Sequence, residues 1–182
     1  MGKVFVFLAD GFEEIEGLTV VDILRRGGVD TMTVSVTDTR TVVGSHGIGV
    51  EADGMFSQTD FEEAEAIVLP GGMPGTLHLG AHEGLCDLVC KADKAGKWIC
   101  AICAAPSILG DLGLTEGKDV TSYPGFEARL KGGRYLTDQV VVSDHMITSR
   151  GMGTALAFAL MILEKLTGCE NAEKIAKSVL AK

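Results

Sequence analysis

A chain of 182 residues, 46% hydrophobic and 23% charged, can bury one sizeable core and is too apolar to be disordered. Its 16 Lys and Arg against 25 Asp and Glu leave a net charge of −9, which argues against a nucleic-acid footprint or an anionic-membrane surface. An odd count of five cysteines, behind the opening run Met1-Gly2-Lys3-Val4-Phe5-Val6 without a signal-peptide layout, predicts reduced thiols in a cytoplasmic protein.

From Lys3 to Ala9 the chain is apolar and rich in Val and Phe, which predicts a buried strand ending at Asp10-Gly11. Glu14 to Arg26 reads as a helix closed by Gly27-Gly28, and Thr31 to Val36 as a second strand. Residues 41–59 are β-branched and punctuated by glycine, as in a hairpin or a set of short strands. Phe61 to Glu65 predicts a short surface helix, and Ala66 to Leu69 a buried strand stopped by Pro70-Gly71-Gly72. Farther on, helices are predicted at Glu83–Ala95, Ala105–Leu112, Thr154–Leu166 and Ala172–Leu180. A buried strand is predicted at Trp98–Ile102, with short strands and turns over 118–149. Strands apolar on both faces, alternating with helices, predict an α/β fold with a mostly parallel sheet covered on both sides. With no linker or repeat, one domain is expected over residues 1–182. The carboxyl ends of the strands are where such folds bind ligands.

Among those strand ends, Ala101-Ile102-Cys103-Ala104-Ala105-Pro106 carries the most chemistry. A cysteine follows a buried strand directly, small residues flank it at two before and two after, and a proline opens the next helix. This is the layout of a nucleophile elbow, in which a sharp turn projects the nucleophile. The helix N-terminus there is expected to lower the thiol pKa of Cys103 below that of the other four cysteines. Gly71 and Gly72, after another buried strand, could turn backbone N–H groups toward an oxyanion. On the first helix Glu16 shares a face with Val20, Ile23, Leu24 and Gly27. A carboxyl on an apolar stripe is desolvated, so its pKa should rise into the range useful for proton transfer. Glu13 and Glu14 need no more than a helix N-terminus that favours negative charge.

His78, His82, Cys86 and Cys90 recur every four residues but do not predict a zinc site. Four positions over three helical turns span about 18 Å and cannot converge on one ion. There is no Walker loop, and Ala9-Asp10-Gly11-Phe12 has too few glycines for a dinucleotide fingerprint. No metal or cofactor is expected.

Four segments together resemble the successive signatures of the DJ-one/ThiJ/PfpI superfamily: residues 9–16 (ADGFEEIE), 69–72 (LPGG), 101–106 (AICAAP) and 148–151 (TSRG). They occur in order over nearly the whole chain and are most similar to the subgroup of the Parkinson-disease protein and its bacterial relatives. The resemblance implies a flavodoxin-like three-layer sandwich related to class I glutamine amidotransferases, usually a homodimer. It also implies Cys103 as nucleophile, Glu16 as a protonated acid beside it, and an oxyanion pocket at Gly71, Gly72 and Ala104. The activities it implies are a glutathione-independent glyoxalase or protein deglycase acting on methylglyoxal, glyoxal or their protein adducts. Redox sensing through a Cys103 sulfinate, chaperone action and amide or ester hydrolysis are the alternatives. Two positions depart from the family pattern. Ala104 stands where family proteases carry a His, and Tyr123 where the Parkinson-type proteins carry one. His46 aligns with a position that in relatives reaches the partner subunit's site, and Arg150 is a further accessory candidate.

Overall fold

The computed structural model describes residues 2–181. In chain order its first half comprises β1 (Lys3–Leu8), α1 (Glu14–Arg26), β2 (Thr31–Ser35), β3 (Thr41–Val43), β4 (Gly49–Glu51), β5 (Gly54–Met55) and β6 (Ala64–Leu69). Then follow α2 (Gly75–Ala81), α3 (Glu83–Lys94), β7 (Trp98–Ile102), α4 (Pro106–Asp111), β8 (Asp119–Val120) and β9 (Arg134–Tyr135). The chain closes with β10 (Val140–Ser143), β11 (Met146–Ser149), α5 (Ala155–Thr167) and α6 (Cys169–Ser178).

Seven strands form the central sheet in the order β10-β11-β7-β6-β1-β2-β5. Its pairings are parallel except β10 with β11. Because side chains alternate along a strand, each central strand feeds two cores. Val4, Val6 and Leu8 of β1, with Val68, Cys100 and Ile147, pack under α1 and α5. Phe5 and Phe7, with Ile67, Leu69, Ile99 and Met146, pack under α2, α3 and α4. This is the α/β architecture with a mostly parallel sheet that the alternating pattern predicts. Among the described residues no helix is long and apolar enough to cross a membrane.

The structure departs from the sequence reading at three places. No helix forms over Phe61–Glu65; turns lead into β6, which already begins at Ala64. Phe61 explains this, because its ring packs on Phe5 and Phe56 at centroid distances of 5.0 Å each, anchoring the segment to the core. The helix α2 was not predicted, since its glycines and His78 leave no apolar stripe. It is secured by buried Leu79 and by the His78 ring nitrogen 2.7 Å from the Asp10 carbonyl. The last helix starts at Cys169 rather than Ala172. His78 lies on α2 and Cys86 and Cys90 on α3, while His82 sits between the two helices and accepts a hydrogen bond from the Leu85 N–H at 3.0 Å as the N-cap of α3.

Candidate active site

Three loops meet at the carboxyl edge of the sheet. The loop after β1 and the loop after β6 are stapled by backbone bonds, Glu13 N–H to the Gly71 carbonyl at 2.9 Å and Gly75 N–H to the Gly11 carbonyl at 3.1 Å. Gly72 takes a φ of 91°, and a Cβ there would stand 2.6 Å from the Gly11 carbonyl oxygen. Neither the backbone angle nor the space admits another residue. The third loop follows β7 and holds Cys103.

Cys103 adopts φ 65°, in the left-handed region, which costs a residue with a side chain about 1–2 kcal/mol. Its neighbours hold it there. The Cys103 N–H donates to the Ser149 carbonyl at 3.0 Å, and its carbonyl accepts the Tyr123 N–H at 2.8 Å. Ala101 and Ala105 are fully buried on either side, and Pro106 opens α4. The strand, sharp turn and helix of an elbow are all present.

Glu16 reaches this turn from α1. It is only 1% exposed, and its Oε2 accepts the Gly71 N–H at 2.8 Å. A Cβ on Gly71 would lie 2.6 Å from Cys103 Cβ and 2.7 Å from Glu16 Oε2, so the two side chains converge on the glycine backbone, with the thiol in hydrogen-bonding reach of the carboxyl. One expectation changes as a result. The Gly71 N–H anchors the carboxyl and is not turned toward an oxyanion; the N–H groups that approach the Cys103 sulfur belong to Gly72 and Ala104. The second carboxyl oxygen, Oε1, is buried without a hydrogen-bond partner.

Burial pushes Glu16 up to about 7, against the pull of the Gly71 N–H and the Cys103 thiol. The anticipated depressed thiol pKa is overturned. Burial, then the Glu16 charge and its hydrogen bond, push Cys103 up to about 12, and the Gly72 and Ala104 N–H groups only partly oppose this. Two touching groups of this kind titrate together. Once the pair has lost its first proton, near pH 7, a single proton is shared, and the form with Glu16 protonated and Cys103 as thiolate becomes available. The rate of Cys103 alkylation by limiting iodoacetamide, followed by mass spectrometry, should therefore rise through an inflection near pH 7. An inflection at the ordinary thiol value would mean that the two groups titrate independently.

The remaining candidates lie around this centre. Tyr123 is half-exposed and borders Gly151. Arg150 donates from Nη1 to the Thr137 carbonyl at 3.2 Å. His46 is engaged elsewhere: its Nδ1 is 2.9 Å from Glu14 Oε2, and its backbone N–H donates to Glu14 Oε1 at 2.8 Å. Glu14 is thus more than a helix-terminal charge. It is buried, which would raise its pKa, yet His46 and backbone N–H groups hold it down to about 2. It ties the β3–β4 hairpin tip to the start of α1. Only the glycine-rich Gly44-Ser45-His46-Gly47 run could have hinted at this contact, since a side chain at Gly44 would collide with Glu14.

The DJ-1/PfpI family model matches residues 2–165. The chain belongs to the DJ-1/PfpI family. It is 37% identical over 177 residues to protein dj-1beta of Drosophila melanogaster, covering 96% of this chain and 95% of that protein. It is 35% identical over 166 residues to the glutathione-independent glyoxalase DJR-1.2 of Caenorhabditis elegans, covering 91% of this chain and 88% of that one. Its fold superposes on Toxoplasma gondii DJ-1, oxidized, with a TM-score of 0.96 at 36% identity, covering 100% and 99% of the two chains. Within this DJ-1/PfpI chain Ala104 follows the elbow cysteine and Tyr123 stands beside it. Among the described residues no histidine is hydrogen-bonded to Cys103 or Glu16.

Proposed function

We propose that this protein is a cysteine-dependent glyoxalase that converts methylglyoxal or glyoxal, free or as protein adducts, without glutathione. The observation that carries the reading is the contact of Cys103, Glu16 and Gly71, which couples a thiol to a carboxyl poised near neutrality. A relative named as a glutathione-independent glyoxalase supports it.

The steps follow from these groups. Glu16 takes the thiol proton, and the sulfur of Cys103 attacks the aldehyde carbon. On a protein adduct the sulfur attacks the carbinolamine carbon instead, the C–N bond breaks as the C–S bond forms, and the amine leaves with the proton held by Glu16. The oxygen of the resulting hemithioacetal is stabilised by the Gly72 and Ala104 N–H groups and, from the free aldehyde, takes the proton back from Glu16. Glu16 then removes the hydrogen on the former aldehyde carbon as a proton and delivers it to the adjacent carbonyl carbon through an enediol. The aldehyde carbon is oxidised and its neighbour reduced, leaving a thioester of lactate or glycolate. Water cleaves the thioester and restores the thiol. No external oxidant, reductant, metal or cofactor enters this sequence. The test is lactate formation from methylglyoxal in glutathione-free buffer, by this protein and by Cys103→Ser. Undiminished turnover in Cys103→Ser, or none in either protein, would overturn the reading.

A second reading, an oxidative sensor, is favoured by the same N–H groups, which could hold the oxygens of a Cys103 sulfinate. The similar structure of oxidized Toxoplasma gondii DJ-1 supports it. A hydrolase acting through a Cys–His dyad lacks support, because Ala104 follows the cysteine.

The homodimer is part of this proposal. Ile15, Leu18 and Ile48 are 48%, 36% and 54% exposed, and all three line one groove of about 650 Å³ that runs along α1 from the β3–β4 tip past Leu156 of α5 to Val179 at the end of α6. An apolar groove beside the first turn of α1 fits burial against a second copy. Leu18→Lys should convert a dimer at micromolar concentration to a monomer by light scattering. A monomeric mass for the unaltered protein would contradict the dimer.

A further inference from the structure

Beside the reacting groups lies a cavity of about 470 Å³, whose wall includes Tyr123, Thr137, Gln139, Arg150, Gly151 and Met152. Two wall residues connect it to the chemistry. Tyr123 donates its backbone N–H to the Cys103 carbonyl at 2.8 Å. Gly151 lies next to Glu16, and a Cβ at position 151 would stand 4.0 Å from Glu16 Oε1 and 3.3 Å from the Tyr123 ring. That same Oε1 is buried without a partner, so an unmatched polar atom faces the gap that Gly151 keeps open. The cavity is therefore separated from the acid of the site only by Gly151, and from the nucleophile's turn only by Tyr123.

Arg150 is the one charged residue in the wall of this cavity. Its Nη1 is committed to the Thr137 carbonyl, which orients the plane of the guanidinium. Among the described residues no carboxylate is within ion-pairing distance of it, although Glu127 feels its charge at longer range. The planar fork of a guanidinium is matched by a carboxylate, and it repels the cationic side chains of lysine or arginine. Thr137 and Gln139 add neutral polar groups, and the wall carries no acidic residue to compete for the guanidinium.

We infer that the preferred substrate is an α-oxoaldehyde bearing a carboxylate on the end remote from the aldehyde. Arg150 holds that carboxylate while the aldehyde carbon meets Cys103. This deepens the glyoxalase reading and rests on it. The reaction balances as before: one water is consumed, the aldehyde carbon is oxidised to a carboxylate, and the neighbouring ketone carbon is reduced to an alcohol. The product is a hydroxy dicarboxylate.

The test compares γ,δ-dioxovalerate, which carries such a carboxylate, with methylglyoxal, which does not. For this protein kcat/KM should be about tenfold higher on γ,δ-dioxovalerate, the lower range expected of a hydrogen-bonded charge pair. Arg150→Gln should bring the ratio of the two values close to unity, and Arg150→Lys, a charge without the fork, should keep part of it. A ratio near unity in the unaltered protein, or one that Arg150→Gln leaves unchanged, would overturn the inference. Binding supplies an independent arm. In the Cys103→Ser background, calorimetry should find α-hydroxyglutarate bound about tenfold tighter than lactate, with the difference lost in Arg150→Gln. If neither oxoaldehyde is turned over, the glyoxalase reading falls and this binding difference alone decides the carboxylate subsite. Equal binding of the two acids would then overturn it.

Discussion

Replacing Glu16 with Gln is expected to lower methylglyoxal turnover by about a hundredfold or more while stabilising the fold at pH above 7. Gln retains an oxygen for the Gly71 N–H but can neither accept the thiol proton nor return one. The effect on stability has the opposite sign because of where Glu16 titrates. Its folded pKa of about 7 lies above the ordinary 4.5, so the native state binds more protons than the unfolded chain between those values. The stability Glu16 contributes is complete below pH 4.5 and is lost as pH rises through 7. For this almost fully buried group the loss amounts to about 3 kcal/mol, and Gln does not suffer it. Denaturant unfolding of the two proteins at pH 5 and above 7 measures the difference. Equal pH dependence would mean that Glu16 is not held neutral by its surroundings. Glu16→Leu should lose turnover to the same extent and gain less stability, because it leaves the buried Gly71 N–H unpaired.

Gly71→Ala is expected to abolish most activity through geometry alone. The added methyl would lie 2.6 Å from Cys103 Cβ, 2.7 Å from Glu16 Oε2 and 3.0 Å from the Ile102 carbonyl oxygen. The first and last belong to the β7 turn, which is pinned by the bond from Cys103 N–H to Ser149. Relief must therefore come from displacing the Glu16 carboxyl, which separates it from the sulfur. Displacements near 1 Å in a reacting pair cost about a hundredfold in rate, and overpacking a close contact costs about 1–3 kcal/mol of stability. Steady-state kinetics and thermal unfolding on one preparation read both. The near-neutral inflection in Cys103 alkylation should move as well, since the pair would be uncoupled. Full activity in Gly71→Ala would show that Cys103 and Glu16 need not touch.

Much of this site was legible because its parts are local. The α1 stripe of Glu16, Val20, Ile23 and Leu24 follows from helical period, and all four side chains are buried. The elbow at Cys103 follows from a buried strand, small neighbours and Pro106 within six residues, and the structure there has the left-handed angle that such a turn requires. The mostly parallel sheet follows from strands apolar on both faces. Other features depended on distant partners. Phe61–Glu65 could be read as a surface helix because the Phe5, Phe7 and Phe56 rings that hold Phe61 come from other segments. Glu14 looked like a helix-terminal charge until His46, 32 positions away, closed over it. The Gly71 N–H, 55 residues from Glu16, seemed free for an oxyanion and is committed to the carboxyl. The thiol shows the division most plainly. Sequence alone identifies Cys103 and places it before a helix whose dipole lowers a pKa, but desolvation and the charge of Glu16 outweigh that dipole and raise it. A dipole is a property of the next few peptide units, whereas desolvation is set by every group packed around the sulfur, and those groups converge only when the sheet and its helices close.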